Sequence, residues 1–234
     1  MSPEAFQRYA LEGYNRIPVW REVLADLDTP LSAYLKLADL PYSYLFESVQ
    51  GGEKWGRYSI IGLPSKTLIR VRGNQVEIER NGRIDETFAV DDPLVWIRDF
   101  AACYRVPDIE RLPRFTGGLV GYFGYETIHY IEPQLVVEKL DPLGLPDILL
   151  MVSEDVLVFD NLKGRLLLVT HADPSENQAY ERAIAHLNHT ISQLRLGDLP
   201  ERPVAKGREV DEGDFVSGFT QEGFEAGVRR IKEY

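Results

Sequence analysis

Three short runs of alternating polar and apolar residues, at positions 67–72, 75–80 and 83–90, are separated only by Gly73-Asn74 and Asn81-Gly82. A connection this short must reverse the chain. Tight hairpin turns need positive backbone angles, which Gly and Asn adopt at least cost. The middle of the chain is therefore expected to be antiparallel sheet. Residues 147–160 and 165–171 repeat the pattern as a hairpin around Asn161-Leu162-Lys163-Gly164. Residues 42–49 read as another strand, with Tyr42, Tyr44 and Phe46 on one side, Leu45 and Val49 on the other, and both faces covered.

Helices flank these strands. Thr29 caps and Pro30 opens the first, whose Leu31, Tyr34, Leu35 and Ala38 share a face. Asp92-Pro93 opens a second, with Leu94, Ile97, Ala101 and Tyr104 on one side. The longest runs over residues 175–196. Asp173 caps it, Pro174 and Glu176 complete its entry, Gly197 ends it, and Tyr180, Ile184, Leu187, Ile191 and Leu194 form its stripe. Residues 198–214 are charged and rich in Pro and Gly, as in a linker or mobile loop. Thr220 then caps a last helix with Phe224, Val228 and Ile231 on its apolar face.

Charge narrows the partners. The chain carries 26 basic and 37 acidic residues, a net charge of −11, which opposes nucleic acid and anionic membrane surfaces. A hydrophobic share of 44% is enough for a core. The single cysteine, Cys103, excludes a disulfide framework and a cysteine zinc site, and reads as a packed thiol. No leader-like start and no apolar run of membrane-spanning length is present, so a cytoplasmic location is expected.

Most motifs read as structure. His186 and His189, three apart on the long helix, are too few for zinc and read as surface histidines. His129, three after Glu126, has no neighbouring nucleophile in sequence. The run Gly117-Gly118-Leu119-Val120-Gly121-Tyr122-Phe123-Gly124 lacks the setting of a dinucleotide fingerprint and the ending of a phosphate loop. It reads as a strand whose glycines admit close backbone approach while Tyr122, Phe123 and Tyr125 fill the core. Leu45-Phe46-Glu47-Ser48 differs. It places a carboxylate beside a hydroxyl at a strand end, before the Gly51-Gly52 turn and the basic, aromatic segment Lys54-Trp55-Gly56-Arg57-Tyr58-Ser59. Such a set can hold a zwitterion. Carboxylate and hydroxyl suit an ammonium, a guanidinium suits a carboxylate, and aromatics suit an apolar side chain.

At these residues the chain resembles a known family. Residues 46–62 are similar to the amino-terminal signature of anthranilate synthase component I, especially the proteobacterial type. Gly13-Tyr14-Asn15-Arg16-Ile17-Pro18, residues 113–126 and residues 141–153 agree with it, and residues 228–234 resemble the start of its chorismate-binding region. The resemblance implies an α+β fold, the amino-terminal part of that family's α/β sandwich, with mostly antiparallel sheet and flanking helices. It implies an amino-terminal domain over 1–197, a linker over 198–219 and a truncated start of the chorismate-binding region over 220–234.

The family converts chorismate and ammonia, or glutamine through an amidotransferase partner (component II), into anthranilate and pyruvate. It uses magnesium. Its catalytic and metal-binding residues lie in a carboxy-terminal region without a counterpart here, so the resemblance assigns this chain no catalytic residue and no Mg2+ ligand, and implies inactivity on its own. What it does transfer is a feedback site for L-tryptophan at Phe46, Glu47 and Ser48, joined by Arg57, Tyr58 and Ser59. Phe46 stands where many relatives have Leu. Two other readings stay open: aminodeoxychorismate synthase component I, which shares the fold, and a non-catalytic ligand-binding or docking module.

Overall fold

The computed structural model describes residues 1–50, 54–135, 143–199, 207 and 210–233, with the side chains of residues 48–50, 54 and 55 outside that description. The Gly51-Gly52 turn, Asp141-Pro142 and much of the expected linker therefore lie outside the described residues. The chain forms two compact units, Met1–Pro200 and Glu201–Tyr234.

The first unit holds two five-stranded sheets in which every paired neighbour is antiparallel. Its strands are β1 (Ile17–Leu24), β2 (Tyr44–Gln50), β3 (Lys54–Gly62), β4 (Thr67–Arg72), β5 (Gln75–Arg80), β6 (Arg83–Ala89), β7 (Gly118–Phe123), β8 (Ile148–Ser153), β9 (Asp155–Asp160) and β10 (Arg165–Ala172). One sheet runs β1-β10-β9-β3-β2, the other β6-β5-β4-β8-β7. The α+β class and antiparallel sheets expected from the sequence are present.

Helices α1 (Pro3–Leu11), α2 (Pro30–Leu37) and, later in the chain, the long helix Ala179–Leu196 cover one face of the first sheet. Phe6, Ala33, Leu187 and Leu194 pack there on Ile17, Ile61, Leu157 and Leu168. Helix α3 (Pro93–Ala102) covers the second sheet, burying Ile97 with Ile69, Val71, Ile148 and Leu150. A short helix, α4 (Ile128–Ile131), follows, so the long helix is α5. The second unit contains α6 (Gln221–Lys232), capped by Thr220 through Gly223 N–H, with Phe224, Val228 and Ile231 exposed.

Several expectations are corrected. The apolar run 147–160 is two strands: β8 pairs with β4 and β7, β9 with β10 and β3, and the chain changes sheets at Glu154. Strand β2 is an edge strand, and the face that carries Phe46 is only partly covered: Tyr44 is buried there but Phe46 is 51% exposed. Tyr42 precedes β2 at φ 62 and lies under the Arg70 guanidinium. Helix α2 buries Ala33, and Ala38 just past its end is buried too, while Leu31 is exposed. Helix α5 starts at Ala179, because Gln178 sits at φ 53 and interrupts the expected first turn. Strand β7 has the close approach expected of its glycines: a Cβ on Gly121 would fall 2.9 Å from Leu149 C and from Leu150 Cα. Its aromatics do not fill the core, however, since Tyr122, Phe123 and Tyr125 are all exposed. Cys103 is exposed too, at the end of α3, with Sγ 3.4 Å from the Asp99 carbonyl.

Candidate functional site

The candidate residues lie at one edge of the first sheet, on β2 and its neighbour β3. Side chains alternate along a strand, so register decides what can meet. Leu45 lies opposite Ile61, and Glu47 opposite Ser59, on the face covered by helices. Phe46 lies opposite Ile60, on the other face. There its ring packs 4.7 Å from that of Tyr44, whose hydroxyl bonds Ser153 Oγ at 2.8 Å. Burial pushes the Tyr44 phenol above its ordinary pKa, partly offset by that hydrogen bond.

The ladder is interrupted beside Ser48. Glu47 pairs with Ser59, but Val49 pairs with Trp55, so Gly56, Arg57 and Tyr58 stand together opposite Ser48. Such a bulge re-aims side chains, as bulges near functional sites commonly do. Arg57 is held by Asp160 of β9, with Nη2 donating to Oδ2 at 3.0 Å and Nε to Oδ1 at 3.4 Å, and its guanidinium lies 4.8 Å over the Tyr58 ring. Burial raises the Asp160 carboxyl, but the Arg57 bond and charge outweigh this and leave it below the usual carboxylate range.

Ser59, only 3% exposed, donates to Glu47 Oε1 at 3.5 Å. Asn161, in the β9–β10 turn, donates from Nδ2 to Ser59 Oγ at 3.2 Å and to the Gly56 carbonyl at 3.1 Å.

Of the six candidates, the structure thus joins Glu47 with Ser59 and Arg57 with Tyr58. Phe46 is on the face opposite Glu47, and the side chain of Ser48 lies outside the described part of the chain. Arg57 and Tyr58 also line a groove of about 570 Å³ with Trp20, Arg111, Asp160 and Lys163.

Asp160 and Asn161 are the neighbours sequence reading passed over. The only local signal was the turn composition of residues 161–164.

A second polar cluster lies where β8 gives way to β9. Arg16 bonds Asp173 at 2.6 Å, approaches Glu154 at 3.4 Å, and lies 5.0 Å over the Tyr104 ring. His186 Nε2 is 3.1 Å from Asp155 Oδ1, so this helix histidine has an acidic partner rather than solvent alone. Among the described residues no group of three or more His, Cys, Asp or Glu is arranged to hold a metal ion.

The profile of the chorismate binding enzyme family matches residues 41–234. Anthranilate synthase component 1 of Pseudomonas aeruginosa is 54% identical, the match covering 100% of this chain and 48% of that protein. The protein of the same description from Neisseria meningitidis serogroup B is 49% identical, again covering 100% of this chain and 48% of that protein. A crystal structure of anthranilate synthase component I from Streptococcus pneumoniae is 24% identical over 75% of this chain and 37% of that chain, with a TM-score of 0.49. The chain spans about half the length of the curated relatives it matches.

Proposed function

The chain belongs to the chorismate binding enzyme family, and we propose that it is the amino-terminal, tryptophan-sensing part of an anthranilate synthase component I. In the whole protein, chorismate and ammonia, the latter from glutamine through a component II amidotransferase, give anthranilate and pyruvate. We assign that chemistry and its magnesium to the part of the protein outside this chain. The role of this part is regulatory, in a cytoplasmic enzyme of tryptophan biosynthesis.

The observation that carries the reading is the bulge facing Ser48 at an open sheet edge. It sets a carboxylate, Glu47, and a cation, Arg57, on adjoining strands. An amino acid needs both: an acceptor for its ammonium and a guanidinium for its carboxylate. Phe46 and Tyr58 add apolar surface. Inhibition follows if tryptophan favours one of two arrangements of the enzyme, and it can shift the balance only by its differential affinity for them.

In the full-length protein, Ser48→Phe is expected to raise the tryptophan concentration needed for half-inhibition, with kcat and the KM for chorismate unchanged. An inhibition curve superimposing on that of the unsubstituted enzyme would overturn the assignment.

A further inference from the structure

We infer that Asn161 is a positioning residue for tryptophan recognition, fixing both the backbone of the β3 bulge and the direction of the Ser59 hydroxyl that supports Glu47. The inference rests on the feedback reading above and extends it to a residue outside the β2–β3 signature.

The amide has two side-chain hydrogens, and the structure gives both a partner. One goes to the carbonyl of Gly56, the other to Ser59 Oγ. A backbone carbonyl can only accept, so the amide must present nitrogen, not oxygen, to the bulge. The main-chain N–H of Asn161 also donates to the Arg57 carbonyl at 2.9 Å. Asn161 therefore grips Gly56, Arg57 and Ser59, three of the four residues from the bulge through Ser59. Next to it, Asp160 holds the Arg57 side chain. The turn acts as a template against which the irregular part of β3 is set.

The hydroxyl has a direction. Ser59 Oγ receives a hydrogen from Asn161, which leaves its own hydrogen free for Glu47 Oε1 at 3.5 Å. The donors run one way, from Asn161 to Ser59 and on toward Glu47, the last contact being the longer one. Ser59 is buried, so no bulk water stands ready to replace the amide. Without it the hydroxyl can turn to another acceptor, Glu47 loses a donor, and the bulge carbonyl of Gly56 loses its partner. On this inference the loss falls on recognition of tryptophan, and uninhibited turnover is the control that separates it from a general structural role.

The test is Asn161→Asp in the full-length enzyme. It keeps the size of the side chain and the main-chain bond to Arg57 but removes both Nδ2 donors. Losing two hydrogen bonds of ordinary net strength predicts a rise of roughly 5- to 150-fold in the tryptophan concentration for half-inhibition. Uninhibited kcat and the KM for chorismate are expected to stay within about two-fold of the parent.

Leu162→Ala, at an exposed neighbouring position of the same turn, is expected to leave inhibition unchanged. If Asn161→Asp lowers the thermal midpoint enough to obscure the result, Asn161→Ser is read in its place, since its hydroxyl is too short to reach both acceptors. Should Ser48→Phe relieve inhibition while both Asn161 variants leave it intact, the positioning role is overturned and the feedback reading stands. Should neither Ser48 nor Asn161 variants move inhibition, the feedback reading falls and this inference with it. Equal losses in inhibition and in uninhibited kcat would mark Asn161 as a general structural residue and also overturn the proposal.

Discussion

Gly62→Ala should unfasten the strand that carries Phe46 and Glu47. Gly62 pairs across the ladder with Tyr44, and the Tyr44 ring lies flat against the space where a Cβ would be. An added methyl would sit 2.6 Å from Cδ1 and closer still to Cε1 and Cζ, whereas carbon atoms meet comfortably at about 3.5–4.0 Å. The ring must therefore move by about 1 Å or more. It cannot do so freely, because Tyr44 is buried and its hydroxyl bonds Ser153, itself 3% exposed, on the other sheet. Overpacking costs about 1–3 kcal/mol, and breaking the bond while leaving a buried hydroxyl unmatched adds about 1–3 kcal/mol. The sum is about 2–6 kcal/mol. Urea unfolding followed by circular dichroism should then show a midpoint lower by about 1 M or more.

The decisive comparison is a double-mutant cycle. In a Tyr44→Ala background the ring is gone, so Gly62→Ala should cost less than about 1 kcal/mol, a coupling expected only of residues in contact. If Gly62→Ala costs the same in both backgrounds, the explanation from the Tyr44 ring is wrong. A cost below about 0.5 kcal/mol in the unsubstituted chain would refute the whole account of this pair.

His186 and His171 should pull stability in opposite directions with pH. The Asp155 hydrogen bond raises the His186 pKa above 6.5, so its contribution is full below 6.5 and is lost as pH rises through the folded value. Burial lowers that of His171, so its contribution is present above 6.5 and is lost as pH falls through the folded value. Urea midpoints at several pH values should show His186→Gln most costly on the acidic side and His171→Gln on the basic side; parallel profiles would contradict both assignments. Arg16→Ala, which strands Asp173 and Glu154 where the sheets exchange strands, should cost about 1–2 kcal/mol by the same unfolding assay. Arg16→Lys should recover only part of this, because an ammonium cannot both bond Asp173 and stack on Tyr104.

Local chemistry made some of this fold readable and non-local pairing hid the rest. The hairpins of β4, β5 and β6 could be placed almost to the residue, since Gly73 and Asn81-Gly82 adopt the positive φ that their types favour. The exchange at Glu154 could not. An apolar run shows that a strand is covered, but not which neighbours cover it, and β8 and β9 draw theirs from different sheets. Strand β1 is hard to read in the sequence because Pro18 and the charged Arg21-Glu22 weaken its pattern; its edge position is what tolerates the proline. Asp173 does accept from the Ser175 N–H as a cap would, but α5 begins only at Ala179 because Gln178 at φ 53 breaks the turn between them. A cap signal in sequence does not disclose a left-handed residue a turn later.

The candidate site poses a sharper geometric problem, and edge position resolves it. Phe46 and Glu47 are adjacent on a strand, so they point to opposite faces. In the interior of a sheet no single small molecule could touch both. At β2, with no strand beyond it among the described residues, a ligand can straddle the margin and meet one side chain from each face. The bulge extends that reach, because it frees Arg57 from strict alternation and lets Asp160 and Asn161 decide where it stands. The proposed ligand-facing residues fall in one short run, whereas Asp160 and Asn161, which hold Arg57 and the bulge, sit about a hundred residues later in the chain. It follows that Leu45, packed toward the helices from the same strand, should answer to substitution through stability alone. Phe46, Glu47 and Arg57 should answer through tryptophan affinity at nearly constant stability. A ligand bound on one face only would break that division.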